Sequence, residues 1–149
     1  VAVIQTPKPS APPPMLTVDL TWSGDHRFES RGRAARGQVD GDGAAAPSPM
    51  ETLLAALASC AAADIVDILR KGRQDLRALS VQLTGERSTE VPRRFTSFRA
   101  RVRVVGAVER AKAERAAELA FEKYCSVRAT LDPAIPLEIV VELEKEARP

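Results

Sequence analysis

The 149-residue sequence predicts an α+β fold, and three patterns carry that reading. Residues 16–22, 98–104 and 137–143 alternate apolar and polar side chains with period two, as half-buried strands do. Residues 49–72 are apolar at helical spacing on almost every side. Residues 108–124 interleave apolar and charged side chains at the period of an amphipathic helix.

The length suits one domain, which the composition places at residues 15–149. A chain of this size buries roughly 68–70% of its unfolded surface, so it needs neither a disulfide scaffold nor a structural metal. Two cysteines and one histidine do not fill a usual four-ligand zinc site without carboxylates, and no metal or resident cofactor is expected. The balance of 22 Lys+Arg against 20 Asp+Glu, net +2, disfavours nucleic acid as a partner. No run of 18 apolar residues occurs, the longest candidate being residues 53–63, and on that count a membrane span is not expected. The opening Val1-Ala2-Val3-Ile4 is too short for the apolar core of a signal peptide and lacks a basic flank, so the expected compartment is the cytoplasm. In a reducing compartment two cysteines are more often reactive, metal-binding or buried than permanently bridged.

Residues 1–14 hold five of the eleven prolines and no periodic apolar pattern, which reads as an extended or disordered arm. Leu16, Val18, Leu20 and Trp22 then form the apolar face of a first strand. Ser23-Gly24-Asp25 turns the chain into a second strand near residues 26–30, and a third near residues 37–40 ends at the turn signal Asp40-Gly41-Asp42-Gly43. Pro47-Ser48-Pro49 starts the long helix, with Ser48 as N-cap and Glu51 in the first turn, and Gly72 marks its end. Its stripe of Leu53, Leu57, Cys60, Ala61, Asp64, Ile65 and Ile68 is backed by Leu54, Ala58, Ala62, Val66 and Leu69, so burial on most sides is expected.

Leu79, Val81 and Leu83 mark the next strand, and Phe98, Ala100, Val102 and Val104 the one after, with Arg99, Arg101 and Arg103 opposite. The second helix carries Ala113, Ala116, Ala117, Ala120, Phe121 and Tyr124 on its apolar face and ends near Cys125. A last strand sets Leu137, Ile139, Val141 and Leu143 against Glu138, Glu142 and Glu144. Those glutamates are expected to answer the arginine row across the strands, which favours a solvated ionic face over a phosphate-binding strip.

The chemistry of the chain centres on its two cysteines. A cysteine inside an apolar helix is ordinarily a small core residue, and Cys60 has that setting. A second cysteine at a helix end, Cys125, makes a peroxidatic and resolving thiol pair the alternative. Cys60 lies about three turns past the helix start, beyond the reach of the dipole end, so a thiolate there needs an outside cation. Asp64, one turn on, strengthens that need. At a helix C-terminus Cys125 is in a worse field for a thiolate, which suits it to attack on an already oxidised sulfur.

The run from Pro47-Ser48-Pro49-Met50-Glu51-Thr52 to Leu57-Ala58-Ser59-Cys60, followed by Asp64-Ile65-Val66, with Gly85-Glu86-Arg87 and Glu122-Lys123-Tyr124-Cys125-Ser126-Val127, resembles the OsmC/Ohr family. The likeness runs from about Leu16 to Leu143 and is nearest to the OsmC-like, YhfA-like branch. It implies an intertwined homodimer in which a long central cysteine-bearing helix packs against antiparallel sheets, with active sites at the subunit interface. It also implies a thiol peroxidase of stress protection that reduces organic hydroperoxides. The Cys60 thiolate would attack the peroxide, become a sulfenic acid and condense with Cys125 to a disulfide. An external dithiol or a dihydrolipoyl protein would reopen that bond.

In the family's peroxidases an arginine from the N-terminal strands steadies the thiolate, and a glutamate orients that arginine. Arg27 is the candidate here, with Arg31, Arg33 and Arg36 as possible substitutes. The glutamate's position holds Met50, and Glu51 is displaced by one. Nine helical residues separate Glu51 from Cys60 by ~13.5 Å and half a turn, so Glu51 either holds an arginine of a partner chain or is a first-turn acid. His26 is expected to be exposed in a polar turn, Arg87 to answer Asp64, and Phe121 and Tyr124 to be core or interface aromatics. The Met50 replacement keeps a second function open, a non-catalytic member that binds a small hydrophobic ligand or senses redox state through its thiols.

Overall fold

The computed structural model describes residues 15–145, and the expected arm at residues 1–14 lies outside them. The chain divides after Ser48 into two compact units, each of which is described by itself.

The first unit is an antiparallel sheet of β1 (Asp19–Gly24), β2 (Arg27–Arg31) and β3 (Arg36–Asp40), in that order. Positive φ at Gly24 and Asp25 makes the first turn, and Trp22 Nε1 donates to the Asp25 carbonyl at 2.8 Å across it. Asp40 ends the sheet by accepting the backbone N–H groups of Asp42, Ala44 and Ala45, which hold its carboxyl below the usual range. Leu20, Trp22, Phe28 and Val39 share one face by register. The expectation of half-burial does not hold for β1: Trp22 is 67% exposed, and Leu16, Val18 and Leu20 are bare as well. A three-stranded sheet of such short strands has no second layer of its own to cover that face.

The second unit begins with α1 (Pro49–Lys71), close to the expected bounds. It stops where Gly72 and Gln74 donate to the carbonyls of Ile68 and Leu69, with Arg73 at φ 56° taking the left-handed position. Only Leu57, Ala61, Ile65 and Leu69 are buried, a single line at four-residue spacing, so burial on most sides is not found in the single chain. Met50, Leu53, Leu54, Cys60 and Ile68 pack partly buried against the core, and Ala55, Ala56 and Ala63 are exposed. By length and composition α1 would also span a membrane, because an average over the helix tolerates Ser59 and Asp64 where a count of unbroken apolar residues stops. Core helices pass the same test, and the buried line of α1 belongs to the core.

β4 (Asp75–Arg87) and β5 (Phe95–Ala107) pair antiparallel, and β6 (Leu137–Glu144) joins the other edge of β5. The β5–β6 pair is parallel, which corrects the expectation of purely antiparallel sheets. The chain crosses between them through α2 (Arg110–Leu119), a π-helical turn (Ala120–Tyr124) and α3 (Ser126–Thr130), as a parallel connection requires. Phe98, Ala100, Val102 and Val104 of β5 meet α1 and the alanines of α2 in one core. The opposite face is ionic as expected: Arg99 pairs with Glu138 at 3.1 Å, Arg101 with Glu142 at 3.3 Å, and Arg103 with Glu144.

Candidate functional site

Cys60 lies on α1, half-buried and packed against the core, one turn from the buried Leu57. Cys125 comes to it from 65 positions along the chain and is only 2% exposed. Both thiols are free, and Cys60 lies close enough to Cys125 to raise its pKa. Cys125 Sγ also reaches the Leu57 carbonyl at 3.9 Å, which fixes the sulfur alongside α1. This is the pairing that the two helical settings left open.

The local backbone around Cys125 differs from the helix end that its sequence suggested. The helix expected over residues 108–124 is α2 followed by a π-helical turn, which the Cys125 N–H closes by donating to the Ala120 carbonyl at 2.9 Å. Cys125 then becomes the N-cap of α3, its Sγ accepting the Arg128 N–H at 3.3 Å. The unfavourable helix-end field expected for its thiolate is therefore corrected. Burial nevertheless pushes the Cys125 thiol above its ordinary pKa, Cys60 adds to the rise, and the Arg128 and Val127 amides partly oppose it.

The charged candidates are distributed as follows. Arg27 is on β2 in the first unit, where it pairs with Asp25 at 3.1 Å. Arg31 and Arg36 face each other in the β2–β3 register, and Arg33 lies between those strands. Glu51 is exposed in the first turn of α1, nine residues before Cys60, and Met50 beside it packs partly buried against the core. Arg87 does not serve as the expected cation for Asp64; its Nε donates to the Arg93 carbonyl at 2.9 Å and closes the β4–β5 connection. His26 is exposed as expected and bonds Asp42 at 2.8 Å, an ion pair that raises its pKa above 6.5. Phe121 is core, whereas Tyr124 is half exposed under the Lys123 ammonium.

The sequence reading missed Arg128. Its half-buried guanidinium donates to the carbonyls of Asp132 and Ile135, tying α3 to the segment that enters β6. The Asp132-Pro133 pair after Leu131 was the sign in the sequence that a helix ends there. Among the described residues no group of three or more His, Cys, Asp or Glu side chains is arranged to hold a metal ion.

Residues 40–140 match the family model described as OsmC-like protein. Protein YhfA of Escherichia coli strain K12 is 46% identical over 99 residues, which cover 65% of this chain and 74% of that protein. A crystal structure of a hypothetical protein from Aquifex aeolicus VF5 superposes with a TM-score of 0.83 at 30% identity, over 90% of this chain and 99% of the other. An organic hydroperoxide resistance protein from Elizabethkingia anophelis shares the fold, with a TM-score of 0.66 at 14% identity over 91% of this chain and 100% of that one. The chain therefore belongs to the OsmC-like family.

Proposed function

We propose that the protein is a thiol-dependent peroxidase that reduces organic hydroperoxides. The observation that carries this reading is the closeness of a half-exposed and a buried thiol, Cys60 and Cys125, in one apolar core. Cys60 is the accessible member and takes the first step. Its thiolate attacks the distal oxygen of the peroxide, the O–O bond breaks, and the alcohol leaves with a proton while Cys60 becomes a sulfenic acid. Cys125 attacks that oxidised sulfur, hydroxide leaves and is protonated to water, and a disulfide remains. An external dithiol or a dihydrolipoyl protein, supplying two electrons and two protons, returns both thiols. The family membership and the hydroperoxide resistance named for a neighbour of the same fold support the choice of substrate.

The working unit in this proposal is a homodimer in the cytoplasm, in which a second copy covers the bare apolar face of β1. Arg27 and Glu51 take part as a cation near Cys60 and as the acid that orients it. A second reading, redox sensing or binding of a small hydrophobic ligand without turnover, is favoured by Met50 at the position of the family's glutamate.

Stopped-flow loss of an organic hydroperoxide, with reduced protein and then with excess dithiol, tests the proposal. Fast consumption with continued turnover is expected, and Cys60→Ser should abolish it. A single stoichiometric oxidation without turnover would favour the sensor, and unreacted wild-type thiols would end the peroxidase reading.

A further inference from the structure

Cys125 opens a short helix, and one side chain ties that helix to the segment entering β6. α3 has only five residues, too few to be stable in isolation, so its position must come from tertiary contacts. Val127 and Leu131 pack against the core, and Arg128 adds a polar tie: Nη2 donates to Ile135 O at 2.7 Å and Nη1 to Asp132 O at 3.3 Å. Both acceptors lie on the connection into β6, which is anchored in turn where Phe98 N donates to Pro136 O at 2.9 Å and where Arg94 approaches Asp132 at 3.8 Å. The same residue's backbone N–H is the donor to Cys125 Sγ.

We propose that Arg128 is the positioning residue for Cys125: its guanidinium clamps the carbonyls of Asp132 and Ile135, and so holds its own backbone N–H against Cys125 Sγ beside Leu57 and Cys60. This deepens the peroxidase reading and rests on it for the identity of the oxidant. The clamp acts on the second step alone. Attack by the Cys125 thiolate needs the sulfur aimed at Cys60, and it needs the amide that favours the charged form. The fork geometry of a guanidinium suits two carbonyls at once, which an ammonium cannot match.

The test is a single turnover. Reduced protein receives one equivalent of an organic hydroperoxide, and Cys60 oxidation and disulfide formation are followed separately as a function of pH. Arg128→Ala should oxidise Cys60 at the wild-type rate but form the disulfide about ten- to a hundredfold more slowly, the loss typical of a displaced reacting group. Its pH midpoint should move upward, because the amide that favours the thiolate is released. Arg128→Lys, which keeps the charge but replaces the planar fork with an ammonium, should fall between the two and decides the matter if the alanine variant does not fold. A lowered Tm with wild-type disulfide rate and midpoint in both variants would overturn the proposal, since a purely structural clamp does only that.

The oxidant is separable from the clamp. If the hydroperoxide leaves both wild-type thiols free, the peroxidase reading fails, but a diazene dicarboxamide still tests Arg128. Cys60 adds to its N=N bond, and Cys125 displaces the reduced hydrazine to form the same disulfide. The same slowing in Arg128→Ala supports the clamp, and disulfide formation at the wild-type rate overturns it.

Discussion

The Phe95 ring lies directly over the backbone of Gly85, so close that a Cβ built on Gly85 would stand 2.5 Å from Phe95 Cδ1 and Cε1 and 3.2 Å from Leu54 Cδ2. Phe95 is buried and stacks tilted against Phe98, with ring centroids 5.2 Å apart, so it has no open space into which to swing. Gly85 belongs to the Gly85-Glu86-Arg87 segment that carries part of the family resemblance. Gly85 within β4 leaves room for the Phe95 ring, and Arg87 closes the β4–β5 connection through the Arg93 carbonyl.

Gly85→Ala should therefore destabilise the fold by about 1–3 kcal/mol, the usual range for an added methyl group in a packed core. Urea unfolding measures it. A midpoint equal to that of wild type would mean that the Phe95 ring moves aside without loss.

The contrast with the cysteines shows how much of the protein its sequence carried. Period-two and helical patterns place α1, β5 and β6 because each has an apolar face that ends in the core. They do not reveal strand direction, since Leu137, Ile139, Val141 and Leu143 point inward in either sense. The helix between β5 and β6 was the overlooked sign of a parallel crossover. Cys60 and Cys125 were legible as a pair by number and setting. The cap on Cys125 was not, because it depends on Arg128 reaching carbonyls four and seven residues further on. Burial of Trp22 was misjudged for another reason: alternation shows which face is apolar, not whether anything covers it.

Cys125→Ser separates the two thiols. With Cys60 intact, one equivalent of organic hydroperoxide should still be consumed, and Cys60 should persist as a sulfenic acid that a cyclic 1,3-dione captures with a mass gain. Turnover with a dithiol should fall at least tenfold if resolution by Cys125 is the main route back. Undiminished turnover in this variant would remove Cys125 from the cycle.

His26 is the sole histidine, so its titration can be followed by NMR without assignment. The hydrogen bond and charge of Asp42 raise its pKa above 6.5, with smaller contributions from Asp40 and Asp25. Protonated His26 is thus bound more tightly to the folded first unit than to the unfolded chain. Its contribution to stability is complete below pH 6.5 and disappears as pH rises through the higher folded value. Asp42→Asn should bring the midpoint back toward 6.5, and a wild-type midpoint at or below 6.5 would mean that the pair does not persist in solution.

The sole tryptophan reports on the bare sheet face. Trp22 and Leu20, 67% and 61% exposed, share one face of the first sheet with Phe28 and Val39. In the proposed homodimer a second copy covers it, so light scattering at micromolar concentration should give twice the chain mass, and Trp22 emission should be blue-shifted. Leu20→Glu places a charge on that face and leaves the sequence at both cysteines unchanged. Burying an unpaired carboxylate costs several kcal/mol, about a thousandfold or more in the dissociation constant, so the variant should be monomeric at the same concentration with red-shifted emission. A wild-type chain of single mass, with solvent-like Trp22 emission, would rule out the homodimer and leave this apolar face to some other cover.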